Sequence, residues 1–333
     1  MIFHPAVMAL FAGSILVSFM IVYSASYAFQ ILRKWDLQSG SELQLSLERK
    51  TYLISTLAAY AFGFELLSFF LFVFTADQIH SLFVGAMCAA GSLYANAYGY
   101  PTLIAKLVNF LLAGIWLVLN YADTRGYDYP LMKTKCRFFL VLVPLVLLES
   151  FLQANYFLRL DPDIITSCCG TLFSTEAFVL PSEIGSLPTL PAKSVFYGTL
   201  LFTIGIGFFY FLRAKGGYLF SAASALAFVV SVVAVFSFIS PYIYELPTHR
   251  CPFCILQREY GYIGYLLYAT LLGATILGLS VGALTPFRKT QSLSEMMPKL
   301  QTRLALTSST LFMVFTAIVT VRILLSDLIL EGY

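Results

Sequence analysis

The chain has 333 residues, 59% of them apolar and only 11% charged, which is more hydrophobic surface than one water-soluble core can hide. That composition predicts an all-α polytopic membrane protein surrounded by membrane lipid. The formal charge of +3 comes with no basic patch, so nucleic acid is excluded as an expected partner.

Apolar runs long enough to cross about 30 Å of hydrocarbon as helix predict eight transmembrane helices, at 6–32, 52–76, 101–121, 138–158, 195–212, 219–241, 259–284 and 305–326. The opening residues, MIFHPAVMAL, lack the basic stretch of a signal peptide, so the N-terminus is expected to be uncleaved and to lie outside. A further apolar stretch, 81–95, runs into YANAYGYP, where Asn96, Gly99 and Pro101 break the helix.

Lysine and arginine near span ends collect on the cytoplasmic side. Of the 20 basic residues, 14 stand in four loops: Arg33, Lys34, Arg49 and Lys50; Arg125, Lys133, Lys135 and Arg137; Arg213 and Lys215; Arg288, Lys289, Lys299 and Arg303. An even number of crossings must then separate 50 from 122, which makes 81–95 one re-entrant segment rather than a ninth span.

This topology, derived without reference to cysteine, puts two cysteine pairs on the outer side. Cys168 and Cys169 lie in loop 159–194, and Cys251 and Cys254 lie between spans 219–241 and 259–284. The first loop is acidic, with Asp161, Asp163, Glu176 and Glu183 against Arg159 and Lys193, which agrees with an outer position. The outer face of a bacterial inner (cytoplasmic) membrane is oxidising, so disulfides form and exchange there. Cys136, on the inner side, is expected to stay a thiol. Cys88, in the re-entrant segment, reads as a small apolar residue packed among alanine and glycine, with no partner evident. His4, His80 and His249 share the outer edge without ligand-like spacing, and no phosphate loop, Ser-His-Asp set or HExxH motif occurs.

The stretch LPTHRCPFCILQREYGY, residues 246–262, concentrates the chemistry. With Cys251 as N-cap, Pro252 takes the first helical position and Cys254 the third, which brings the two Cβ atoms to about 5–6 Å on one face. The positive end of such a helix favours thiolate over thiol. Arg258 would follow on the same face, about 6 Å deeper, either snorkelling to the headgroups or holding a quinone oxygen. Phe253, Tyr260 and Tyr262 are aromatic candidates for stacking on such a ring or for plain packing.

CPFCILQRE resembles the Cys-x-x-Cys-x-x-x-Arg segment of the DsbB disulfide-forming membrane oxidases, in which the pair opens a transmembrane helix at the periplasmic face and passes electrons to quinone. The likeness covers about 15 residues of the 333. It implies Cys251 and Cys254 as the quinone-proximal pair, Arg258 with Gln257 before it as quinone-binding, and ubiquinone or menaquinone as cofactor. The order of elements also resembles the vitamin K epoxide reductase family, which implies a four-helix redox bundle over 131–285. It further implies that the loop pair Cys168 and Cys169 exchanges with a separate periplasmic thioredoxin-like protein. The adjacency of these two cysteines departs from that family, and a vicinal disulfide closes a strained, oxidising ring. Residues 1–130 form an N-terminal helical unit without counterpart in the bundle, and 286–333 a cytoplasmic loop and final helix.

The expectation is therefore a thiol–disulfide oxidoreductase exchanging electrons between periplasmic protein dithiols and a membrane quinone. The residues alone also permit a thiolate metal site for zinc, copper(I) or an iron–sulfur centre, and inert structural disulfides. A runner-up is a quinone- or metal-binding subunit of a larger respiratory or transport complex. Glu65, Lys106, Glu149 and Arg322 fall inside predicted spans and need partners or water. A Glu65–Lys106 pair, a proton path and polar helix-packing contacts are the alternatives, with Gln153 and Asn155 extending a polar stripe near Glu149.

Overall fold

A computed structural model describes residues 4–35, 41–126, 128–161 and 188–330, and all regular structure among them is helical. The helices are α1 (Pro5–Lys34), α2 (Glu42–Gln78), α3 (Ala89–Tyr94), α4 (Gly99–Asp123), α5 (Met132–Leu158), α6 (Thr189–Arg213), α7 (Gly217–Ala234), α8 (Ser240–Tyr244), α9 (Ile263–Leu284) and α10 (Met296–Leu325). Among the described residues, eight helical segments are long and apolar enough to cross a membrane, and each overlaps one of the predicted spans. The stretch 81–95 contains no helix of crossing length. It holds the end of a 3-10 turn, Ile79–Leu82, and the six-residue α3.

Local chemistry accounts for the helix ends. Pro5 opens α1, where a missing N–H costs nothing, and Arg33 and Lys34 sit in its last turn beside the exposed carbonyls. Ala214 (φ 48°) and Gly216 (φ 88°) adopt left-handed conformations that reverse the chain between α6 and α7. After α7 the helix widens into a π turn, Val235–Ile239, just before Pro241, whose ring nitrogen has no hydrogen for the preceding turn.

The chain divides into two compact units. One comprises Met1–Thr75, Asn96–Leu160 and Pro286–Leu300, and the other Ala76–Ala95, Asp161–Thr285 and Gln301–Tyr333. Linear boundaries near 130 and 285 were expected. Instead α5 packs with α1 and α4, while most of α10 joins the unit that carries CPFC. Four long helices do meet in that unit, but they are α6, α7, α9 and α10.

In the first unit the core centres on Phe62, whose ring meets those of Trp116 and Phe139 at centroid separations of 5.0 and 5.7 Å. Two buried ion pairs accompany it. Lys106 Nζ lies 2.6 Å from Glu149 Oε1 and donates to Ser68 Oγ at 2.8 Å, and Asn109 Nδ2 donates to Glu149 Oε2 at 2.5 Å. Of the alternatives for these charges, the pair that forms is Lys106–Glu149, with Glu65 buried in the same unit. Gln153 turns away from this group and donates to Ser14 Oγ at 2.7 Å and to the Leu10 carbonyl, while Asn155 bonds back to Phe151 O within α5.

Lys135, which sequence placed in a basic loop, lies in the first turn of α5 and is buried. Its Nζ is 2.7 Å from Asp123 Oδ2 and donates to Ser55 Oγ and Asn120 Oδ1 at 3.0 Å each. Asp123 Oδ1 in turn accepts the Leu131 N–H at 2.9 Å, so one carboxylate joins the end of α4 to the start of α5.

The core of the second unit gathers Phe196, Phe238, Phe312 and Phe315 from α6, the π turn and α10. Its helices approach closely through small residues. A Cβ built on Gly278 of α9 would stand 2.2 Å from Ser224 Oγ of α7, so only glycine fits at that crossing.

Candidate thiol site

The CPFC segment does not open a long helix. Cys254–Leu256 and Arg258–Tyr260 are single 3-10 turns, and α9 begins only at Ile263, after the left-handed residues Gly261 and Tyr262. The expected cap at Cys251 is corrected, and the reason lies in the carbonyls. Tyr244 Oη donates to Cys251 O at 2.5 Å and Tyr268 Oη to Pro252 O at 2.6 Å, the two acceptors that the first helical turn would need. The Leu256 N–H goes to Phe253 O at 2.9 Å instead, which tightens the backbone into a 3-10 turn. Gly264 allows this loop to fold back onto α9, because a Cβ there would meet Ile255 O at 2.8 Å. Arg258 consequently does not follow the cysteines along one helix face. It is exposed on the second turn.

Cys88 comes to this site from the same unit but 163 positions away in the chain from Cys251. It is the extended N-cap residue of α3, held by a carboxylate and an amide. Asp77 Oδ1 accepts the Ala89 N–H and one Gln257 Nε2 hydrogen, each at 3.2 Å, and Gln257 Nε2 also donates to Met87 O at 2.8 Å. Gln257, expected to bind quinone, therefore ties the CPFC turn to the residues on both sides of Cys88.

This clamp brings Cys88 Sγ to 3.5 Å from Cys251 Sγ, and the Sγ atoms of Cys88, Cys251 and Cys254 all lie within 4.8 Å of one another. Cys88 and Cys251 are fully buried, and Cys254 retains 5% of its surface. Sequence reasoning left Cys88 without a partner. The usable signal was its depth, since the re-entrant segment and the CPFC loop were both assigned to the outer edge. Cys168 and Cys169 lie outside the described residues. Cys136 belongs to the other unit, where its Sγ contacts Met132 Sδ at 3.9 Å.

Around the sulfurs, the Tyr244 ring packs edge-on against His249 and Tyr260, with centroids 4.5 and 4.7 Å away. Of the three aromatic candidates, Phe253 is buried, Tyr260 belongs to this cluster and Tyr262 is exposed. The hydrogen bond with Cys254 pushes the Cys251 thiol well above the ordinary range, burial adds to this, and the contact with Cys88 partly opposes it. The expected thiolate-favouring helix end is absent, so the reduced site holds its protons.

A raised thiol pKa means less thiolate at any given pH. Alkylation of Cys251 by iodoacetamide in the reduced protein should stay slow through about pH 8.5, where an ordinary thiol is half ionised, and accelerate only above it. Peptide-resolved labelling rates across pH test this; a rate that saturates below about pH 8 would show the opposite shift.

Among the described residues, fold and site together define an all-helical membrane-type architecture with eight membrane-length helices and a buried cluster of three thiols in one of the two units. No protein-family model, curated protein or solved structure matches the chain.

Proposed function

We propose that this chain is a multi-pass thiol–disulfide oxidoreductase of the bacterial inner membrane, exchanging electrons between periplasmic protein dithiols and a membrane quinone. The observation that carries this reading is the set of three buried sulfurs within 4.8 Å of one another around CPFC. Sulfurs at this spacing reach disulfide geometry, about 2.05 Å between bonded atoms, by small side-chain movements. The eight apolar helices and the resemblance of CPFCILQRE to the quinone-linked oxidases support the membrane and quinone parts.

In this reaction a partner dithiol is oxidised to a disulfide, releasing two electrons and two protons, which the quinone takes up as it becomes quinol. The loop pair Cys168 and Cys169 would receive the electrons first and Cys251 and Cys254 next. Cys254, the least buried of the three clustered thiols, is the sulfur that meets the loop pair. Gln257 acts by positioning, because its amide is committed to Asp77 and Met87. Arg258, exposed and next to it in the chain, would hold a quinone oxygen as negative charge develops.

A second reading has the same observation in its favour: three buried sulfurs so close together also suit a soft ion such as copper(I) or zinc. One experiment separates the two. Thiols are labelled in isolated membranes by mass-shift alkylation, with and without added quinone, in wild type and Cys254→Ala. The redox reading expects Cys251 and Cys254 to move from dithiol to disulfide when oxidised quinone is supplied, and it is lost if their state ignores the quinone. Stoichiometric metal in the purified protein, absent from Cys254→Ala, would establish the second reading instead.

A further inference from the structure

We infer that Cys88 is a third exchanging thiol, which takes over the disulfide from Cys254. The inference rests on the thiol–disulfide reading above and adds a residue from outside the CxxC motif and from outside the segment that resembles known oxidases.

The geometry singles out Cys251 as the shared sulfur. Its Sγ lies 3.5 Å from Cys88 Sγ, within one side-chain adjustment of a bond. A passive packing role would need only a small side chain at position 88, with no requirement on the residues around it. Here the flanking backbone is held on both sides. The Met87 carbonyl accepts from the Gln257 amide, and the Ala89 N–H donates to the Asp77 carboxylate that also receives Gln257. The CPFC turn and the Cys88 turn are thereby registered against each other by polar bonds, and the sulfurs stand at their junction. Gln257 and Asp77 are positioning residues for this contact.

The step conserves atoms and electrons. Starting from a Cys251–Cys254 disulfide, Cys88 gives up its proton and its sulfur attacks Cys251 Sγ. The Cys88–Cys251 bond forms, the Cys251–Cys254 bond breaks, and Cys254 leaves as thiolate and takes the proton. One disulfide and one thiol exist before and after, so no added oxidant is consumed. The exchange moves the disulfide onto two fully buried sulfurs and returns Cys254, the least buried of the three, as a free thiol. It thereby separates the end of the cluster that meets incoming electrons from the end that stores oxidising equivalents.

The test uses the full chain in detergent, reduced and then oxidised with a short-chain quinone, with disulfide-linked peptides identified by mass spectrometry. In wild type, partial oxidation should yield both the Cys251–Cys254 and the Cys88–Cys251 linkages. In Cys254→Ala, where the quinone must oxidise the two remaining clustered thiols directly to one disulfide, the Cys88–Cys251 linkage should become the main product. Cys88→Ser should still form Cys251–Cys254, which shows that its fold is intact. If wild type forms Cys251–Cys254 while no Cys88–Cys251 linkage appears in either protein, or if Cys251 pairs with Cys168 or Cys169 instead, the inference is overturned and the oxidoreductase reading survives. If quinone drives no disulfide at all in wild type, the underlying reading fails with it. The wild-type arm needs no substitution, so a variant that misfolds does not remove the test.

Discussion

Replacing Asp123 with leucine should cost the folded protein about 3–5 kcal/mol, the scale on which removing one partner of a buried ion pair is felt. Lys135 and Asp123 side chains are 3% and 0% exposed, so without the carboxylate the ammonium keeps only the oxygens of Ser55 and Asn120 in a desolvated place. The Leu131 N–H loses its acceptor as well. Adding Lys135→Met to the same chain should recover most of the loss, because the charge that needed compensation is gone. A residue of about 1–3 kcal/mol should persist from the orphaned Leu131 N–H. Equilibrium unfolding in detergent micelles, run as a double-mutant cycle, measures the coupling. A single Asp123→Leu change within about 1 kcal/mol of wild type would mean that the pair behaves like an exposed one.

Cys251→Ala should abolish the Cys251–Cys254 and Cys88–Cys251 linkages, slowing quinone consumption by roughly a thousandfold or more, as loss of a covalent catalyst does. The reason is position rather than motif. Cys251 is a member of CPFC and also the sulfur 3.5 Å from Cys88, so its removal breaks both candidate linkages at once. Cys136→Ala is the matched control, a thiol buried beside Met132 in the other unit, and should leave the rate unchanged. Quinone absorbance followed in rapid mixing reads both variants. A Cys251→Ala protein that consumes quinone at the wild-type rate would remove the cluster from the reaction.

The failures of sequence reasoning share one cause. Residue type and spacing report what a segment can do alone, while hydrogen-bond competition from distant residues decides what it does. Pro252 is compatible with a helix start, yet two tyrosine hydroxyls, from Tyr244 and Tyr268, claim the carbonyls that a helix needs. Lys135 counted among the loop cations and is instead buried in the first turn of a helix, because Asp123 sits at the end of the preceding helix. Lys106 pairs with Glu149 rather than with Glu65, a choice the linear chain could not make because both carboxylates simply interrupt apolar runs. Cys88 had no motif to announce it.

What the sequence determined by itself is the all-helical class and the eight membrane-length segments, because hydrophobic length is local and additive, and the absence of a crossing helix in 81–95, because the basic loops on either side require an even number of crossings. The motif CPFC with its cysteine pair was equally legible. Only the tertiary structure decided which helices share a unit, which charges compensate each other, and that a third thiol joins the pair. Those outcomes depend on contacts such as Cys88 with Cys251, 163 positions apart in the chain, where no periodicity or spacing rule reaches.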